Sequence, residues 1–311
     1  MTRQWGTVGV AVCAVALASM HAQGTQPPPP LIAEGTAVQV APHTWVIPDR
    51  DVPLVPNVGI VVGTAATLVI DPGLGRRNGE AVLREVARVS RNDVLYLAST
   101  HFHAEHTTGA IAFPPSARYV NSTIQEAEFA EGGMRLVRTF AGRSPATAEL
   151  LADAAPRAAD ITFDRAHVLP LGGVDVRMQV VGPTHTRGDT AFFVTGDGVL
   201  FTGDVVMHDS FLAATAVSSV RAWLAAFDAF DALQPRTIVP SHGAVGTGAL
   251  VAANRTLVSG VQARVRALKR DGRTADEAAA TVQEEFRAWH PGWPRANGLT
   301  ALARAAFDEA P

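Results

Sequence analysis

Three of the chain's ten histidines fall within six residues, His101-Phe102-His103-Ala104-Glu105-His106, directly after an apolar stretch that ends near Ser99-Thr100. No other feature restricts the possible folds as much. If the segment leaves a strand extended, His101 and His103 project to one side by the two-residue period, and a turn then brings Glu105 and His106 to a neighbouring point. One loop can thus serve two adjacent pockets. Imidazole nitrogen and carboxylate oxygen are the ligands that zinc takes besides thiolate, and three or more of them around an open position define a catalytic zinc site. A lone histidine is usually an ordinary packed or surface side chain, but three at this spacing point to a metal.

The surrounding pattern is that of an α/β protein. Residues 36–40, 44–47, 58–62 and 67–70 are short, β-branched and separated by turn residues, and Asp71-Pro72-Gly73 closes the last of them. Val82, Leu83, Val86 and Val89 share one face of a helix within residues 78–89, and strand character returns at 94–97. Residues 122–151 are rich in Ala, Glu and Arg and read as a helical insertion between sheet halves, broken at Gly132-Gly133. Further strands are expected at 167–169, 174–181, 191–194, 199–201 and 237–239. Val220, Trp223, Leu224, Phe227 and Phe230 mark a helix among them. Helices follow at 250–269, 275–288 and 299–306. Strands, helices, strands, helices in that order suit two sheets packed together and covered by helices on their outer faces.

The amino terminus reads as an export leader over residues 1–22, with Arg3 as its positive region and an apolar run at 8–18 too short for a comfortable membrane span. Cleavage after Ala22 or after Ala18 both fit, and an uncleaved anchor or lipidation at Cys13 are the other readings. Residues 23–35, with Pro27 to Pro30, form a proline-rich spacer. The expected product is periplasmic or secreted, with no stable membrane insertion. Cys13 is the only cysteine, so the mature chain has neither a disulfide nor a thiolate ligand. A net charge of -3 provides no broad basic footprint, which disfavours nucleic acid as a partner. The expected partner is a small-molecule substrate, and the sequence leaves the oligomeric state open.

The histidine segment resembles the His-x-His-x-Asp-His signature of the metallo-β-lactamase superfamily, with Glu105 in place of the aspartate. Further motifs similar to those of the family appear in order: Asp71 in Val69-Ile70-Asp71-Pro72-Gly73, His185 in Gly182-Pro183-Thr184-His185-Thr186, Asp204 in Phe201-Thr202-Gly203-Asp204, and His242 in Pro240-Ser241-His242-Gly243. The resemblance implies a four-layer αββα domain over residues 36–250, with the helical extension 251–311 packed on it. It also implies two Zn2+ ions, one held by His101, His103 and His185, the other by His106, His242 and Glu105, with Asp204 bridging. Asp71 would orient the histidine loop from behind. Asp71 and Asp204 each have a plainer reading as turn residues, and Glu105 is either a ligand or a proton shuttle.

What the resemblance implies chemically is hydrolysis: a metal-bridging hydroxide attacks an amide, lactone, ester or thioester, β-lactams included, with Asp204, Glu105 and Asp71 supporting it. The aspartate at 204 is unlike the cysteine-ligand lactamases and more like hydroxyacylglutathione hydrolases and lactonases. Arg187 and His208, just beyond two of the motifs, are the expected substrate contacts, although a solvated arginine is the plain alternative for the former. No basic cluster suited to a glutathione carboxylate or a nucleotide is visible. The tail residues Trp289, His290, Trp293 and Arg295 either cover the mouth of the site or simply pack. Two alternatives remain: an iron-dependent oxidative member of the same fold, since these ligands also suit iron, and a non-catalytic exported metal-binding protein.

Overall fold

The computed structural model describes residues 1–2 and 30–311, so the expected leader with Cys13, and most of the proline run, lie outside the described residues. Seven strands form the first sheet, in sequence order: β1 Val38–Ala41, β2 Thr44–Ile47, β3 Val58–Val62, β4 Thr67–Ile70, β5 Leu95–Ala98, β6 Arg118–Ser122 and β7 Ile161–Phe163. The first four pair antiparallel. Helix α1, Gly75–Val89, then carries the chain over the sheet so that β5 lies parallel to β4, and β6 and β7 continue in parallel. The second sheet holds β8 Ala166–Pro170, β9 Asp175–Val180, β10 Thr190–Val194, β11 Val199–Gly203 and β12 Thr237–Pro240, with only β11 and β12 parallel.

Strand alternation sorts the apolar residues into layers. Leu68 and Ile70 of β4 face Phe192 and Val194 of β10 and Phe201 of β11 in one buried cluster between the sheets. Val69 of β4 and Ile60 of β3 point the other way, onto Val82 and Val86 of α1. On the far side Leu200 and Ile238 pack against Trp223, Phe227 and Phe230 of α6 (Val220–Ala232) and against the last three helices, α7 Gly248–Arg270, α8 Ala275–Trp289 and α9 Asn297–Glu309. Helix, sheet, sheet, helix is the expected layering, and each boundary is made by the two-residue period of a strand meeting the wider apolar stripe of a helix.

Three details depart from expectation. First, the insertion lies within the first sheet, between β6 and β7, and not between the sheet halves; its helices are α3 Thr123–Glu128, α4 Met134–Ala141 and α5 Pro145–Leu150, with a π-helical turn over Phe129–Gly133 where a break was expected. Second, the spacer ends earlier than residue 35. Ile32 is buried against α1, where Asn78 accepts from its amide at 2.7 Å and donates to Pro30 O at 2.9 Å, and Glu85 accepts from the amides of Gly35 and Ala37. Third, α7 starts at Gly248, so a boundary at 250 would cut a helix whose buried face joins the second sheet. Among the described residues no helix is long and apolar enough to cross a membrane.

Candidate metal centre

Because β4 and β5 are parallel neighbours with Ile70 beside Ala98, Asp71 and Thr100 emerge together at their carboxyl ends. Asp71 takes a left-handed conformation, φ 61°, that turns its carboxylate back under the histidine loop. One oxygen accepts from Thr100 N at 2.7 Å; the other accepts from Thr100 Oγ1 at 2.9 Å and from His106 Nδ1 at 3.0 Å. The loop then closes into one helical turn, α2 Ala104–Thr107, which places Glu105 and His106 beside His101 and His103. Sheet two contributes from the same edge. β11 and β12 run parallel with Gly203 beside Pro240, so Asp204 and His242 leave neighbouring strand ends. Gly203 is required there: its φ is 61°, and a Cβ would lie 2.9 Å from Thr100 Cβ. His185 sits on the loop between β9 and β10, which Asp189 folds by accepting from Thr186 N at 2.9 Å and Thr186 Oγ1 at 2.6 Å.

The seven sequence-predicted ligands thus come together. Three sets, His101/His103/His185, His101/His106/Asp204 and Glu105/His106/His242, each bring their ligand atoms within 4.8 Å of one another. Asp204 faces both ends, with Oδ2 3.7 Å from His185 Nε2 and Oδ1 3.9 Å from His242 Nε2.

Hydrogen bonds on the outer ring nitrogens select which nitrogen faces inward. His106 Nδ1 donates to Asp71, His185 Nδ1 donates to Ala213 O at 2.5 Å, and His242 Nδ1 donates to Val55 O at 3.1 Å, leaving each Nε2 lone pair for the cluster. His103 is the exception, presenting Nδ1 at 3.1 Å from His185 Nε2. The fit to a cation is visible in what is left over. His101 Nε2, His106 Nε2, Glu105 Oε2 and Asp204 Oδ1 are all buried without a hydrogen-bond partner. Each such atom costs about 1–3 kcal/mol if left unsatisfied, and all are donors of lone pairs that a divalent cation would satisfy.

Burial sets the charge states. It holds His101 and His103 well below the usual imidazole range, with the neighbouring imidazoles adding to it, and it holds His242 down to about 3 against the opposing pull of Asp204. For Asp204 burial works upward, but His242, His185 and His106 outweigh it and keep the carboxylate ionised. Burial would lower His106 too, yet the charge and hydrogen bond of Asp71 prevail and raise it to about 9. Glu105 is pushed up by burial, with His106 the main opposing charge. His101, His103 and His242 are therefore neutral near pH 7, whereas His106 holds a proton that a cation must displace.

Two cavities flank the cluster. One, of about 370 Å³, is lined by His103, His185, Phe102, Val217 and Arg187. Arg187, expected to contact substrate, lines this cavity and is also ion-paired: Glu128 takes its Nε at 3.3 Å and its amide at 2.9 Å, and Glu131 takes its outer nitrogen, so the residue fastens the His185 loop to the insertion. The other cavity, of about 630 Å³, is lined by His242, His208, Arg143 and Arg295. The tail does reach the mouth, through Pro294 and Arg295; Trp293 packs on Phe211 behind it, and Trp289 is exposed. Arg143 carries no signal in the sequence that would have marked it.

A family profile described as the metallo-beta-lactamase superfamily matches residues 51–242, and the chain belongs to that superfamily. Among solved structures, a metallo-beta-lactamase from Pontibacter korlensis is similar at TM-score 0.58 and 18% identity, over 72% of this chain and 98% of that one. The sec-alkylsulfatase Pisa1 from Pseudomonas sp. is similar at TM-score 0.66 and 16% identity, over 88% of this chain and 49% of the sulfatase. The DIM-1 metallo-beta-lactamase gives 0.57 and 19%, over 73% and 98%. These likenesses share the fold. No curated protein sequence matches.

Proposed function

We propose that the chain is an exported hydrolase that holds two zinc ions, the first by His101, His103 and His185, the second by Glu105, His106 and His242, with Asp204 between them. The observation that carries this is the set of four buried, unpartnered ligand atoms, three from the loop after β5 and one from the loop after β11, all within the clustered ligand sets. Cations held there lower the pKa of a water molecule and polarise the scissile carbonyl or other electrophilic centre. The chain's own part is to hold that geometry. Asp71 fixes the tautomer of His106 and, through Thr100, the start of the loop. Asp204, kept ionised, offers one oxygen to each set.

Glu105 belongs with the second set on this reading, not as a free proton shuttle, because its Oε2 is buried without any other partner and lies among the inward atoms of His106 and His242. His208 lines the larger cavity with a partly exposed side chain, which supports its reading as a substrate contact. The substrates are esters, lactones, thioesters or amides, β-lactams among them. The expected setting is the periplasm or the exterior, which rests on the leader. The test is alanine substitution of His101 and of His103, measuring metal content and hydrolysis across an ester, lactone, thioester and β-lactam panel. Loss of metal together with nearly all turnover is the expected outcome; a variant that keeps both contradicts the assignment.

A further inference from the structure

The larger cavity carries two positive side chains that come from outside the strand-end loops. Arg143 follows α4 in the insertion, and Arg295 lies in the turn between α8 and α9, beyond the residues matched by the family profile. The fold brings them into the lining of the same cavity as His242 and His208. We propose that Arg143 and Arg295 form a subsite for an anionic oxygen group of the substrate, a carboxylate or a sulfate, on the His242 side of the cluster. This rests on the hydrolase reading for its role, though not for the binding itself.

Both guanidinium groups are held in place yet keep their donors. Arg143 lies 3.8 Å above the ring of Phe140, itself buried, and makes no side-chain ion pair among the described residues. Arg295 donates to Ser210 Oγ at 3.3 Å and reaches Met207 Sδ at 3.8 Å, again without a carboxylate partner among the described residues. Its φ is 64°, a conformation disfavoured for arginine that the fold nevertheless imposes at the cavity rim.

Carboxylates do share this lining, and their arrangement matters. Asp49 is buried and engaged by the amides of Gly243 at 2.7 Å and Asp51 at 3.2 Å. Asp209 is mostly exposed, 3.9 Å from His208 Nε2, and Asp51 is exposed. None of the three takes a guanidinium, so the arginine donors remain for a ligand. The cavity on the other side differs: its arginine is neutralised by Glu128 and Glu131, and Phe102, Ala216 and Val217 line it. A substrate lying across the cluster is therefore oriented, with its anion toward Arg143 and Arg295 and its uncharged part toward Phe102 and Val217. A planar guanidinium matches a carboxylate or sulfate edge, and such charge-assisted bonds are stronger than neutral ones.

The direct test is calorimetric titration of the full chain, freed of metal with a chelator at pH 7.5, using phenylacetate, phenyl sulfate and the neutral phenylacetamide. Wild-type protein is expected to bind at least one anion measurably and phenylacetamide much more weakly, with the anion affinity falling as salt is raised. Arg143→Gln and Arg295→Gln should each weaken anion binding about tenfold or more, while Arg143→Lys and Arg295→Lys retain part of it. The stronger of the two anions identifies the group recognised. Equal binding of phenylacetate, phenyl sulfate and phenylacetamide, no binding of any probe, or unchanged affinity in both glutamine variants with native melting temperatures overturns the proposal. In the metal-loaded enzyme the glutamine variants should raise KM for an anionic ester and leave a neutral ester unaffected. Anion binding that persists in a protein that hydrolyses nothing would defeat the hydrolase reading and leave the subsite standing.

Discussion

Asp71 and His106 are joined at 3.0 Å, carboxylate to Nδ1, in a pair that is almost wholly buried. The bond turns Nε2 of His106 toward the cluster, and the same carboxylate holds Thr100 at the start of the loop. Asp71→Asn keeps a side chain tolerant of the left-handed backbone but removes the negative charge. Loss of such an outer partner weakens a metal site by about 10–100-fold. Competition against a chromogenic chelator should show that loss in the weaker of two binding phases; unchanged affinity in both phases would deny Asp71 its orienting role.

Glu105 separates two accounts of the second site. Glu105→Gln keeps size and removes charge, so the second cation should be lost and stoichiometry should fall from two toward one. Glu105→Asp shortens the reach and should retain partial occupancy. Elemental analysis of both variants beside wild type decides it, and two tightly held ions in the glutamine variant would return Glu105 to the role of a proton carrier.

The metal-free protein should have a bell-shaped stability profile. Below pH 6.5 the unfolded chain binds protons that folded His101, His103 and His242 refuse, the last with a pKa of about 3, so stability falls as pH falls. Between 6.5 and about 9 the folded state holds a proton on His106 that the unfolded chain has released, so stability falls as pH rises. Glu105, Asp49 and Asp189, all raised by burial, oppose this acid-side slope, which the three imidazoles produce. Urea unfolding of chelated protein from pH 5 to 9 should place the maximum near 6.5. A monotonic profile would contradict these charge states.

Asn78 straps the chain entry to α1. It is fully buried, accepts from Ile32 N and donates to Pro30 O and to Leu74 O at 2.7 Å. Asn78→Ala strands those backbone groups and should cost about 2 kcal/mol in urea unfolding. A change below a few tenths would mean that residues 30–37 contribute nothing to the fold.

The strands around the histidine loop were legible because Leu68, Ile70, Phe192 and Val194 alternate cleanly with their outward neighbours, and helices such as α6 because Trp223, Phe227 and Phe230 keep helical spacing. β6 and β7 were not. The former reads Arg-Tyr-Val-Asn-Ser, with the polar Asn121 and Ser122 buried, and the latter has three residues. The ligand residues were legible by spacing, whereas the inward nitrogen of each ring depends on backbone carbonyls such as Val55 O and Ala213 O that are distant in sequence. The ion pairs of Arg187 were not legible because its partners, Glu128 and Glu131, lie in the insertion. Arg143 and Arg295 form no cluster in the sequence; only the fold brings them to one cavity.

The central claim is a two-cation hydrolytic site, and the most direct measurement is the metal content of the mature chain by elemental analysis, taken with hydrolysis of a chromogenic β-lactam and a generic lactone. Two zinc ions per chain, with turnover of either substrate lost and regained as the metal is removed and restored, is the predicted result. One ion per chain, iron in place of zinc, or full occupancy without hydrolysis of any ester, lactone, thioester or β-lactam would contradict it.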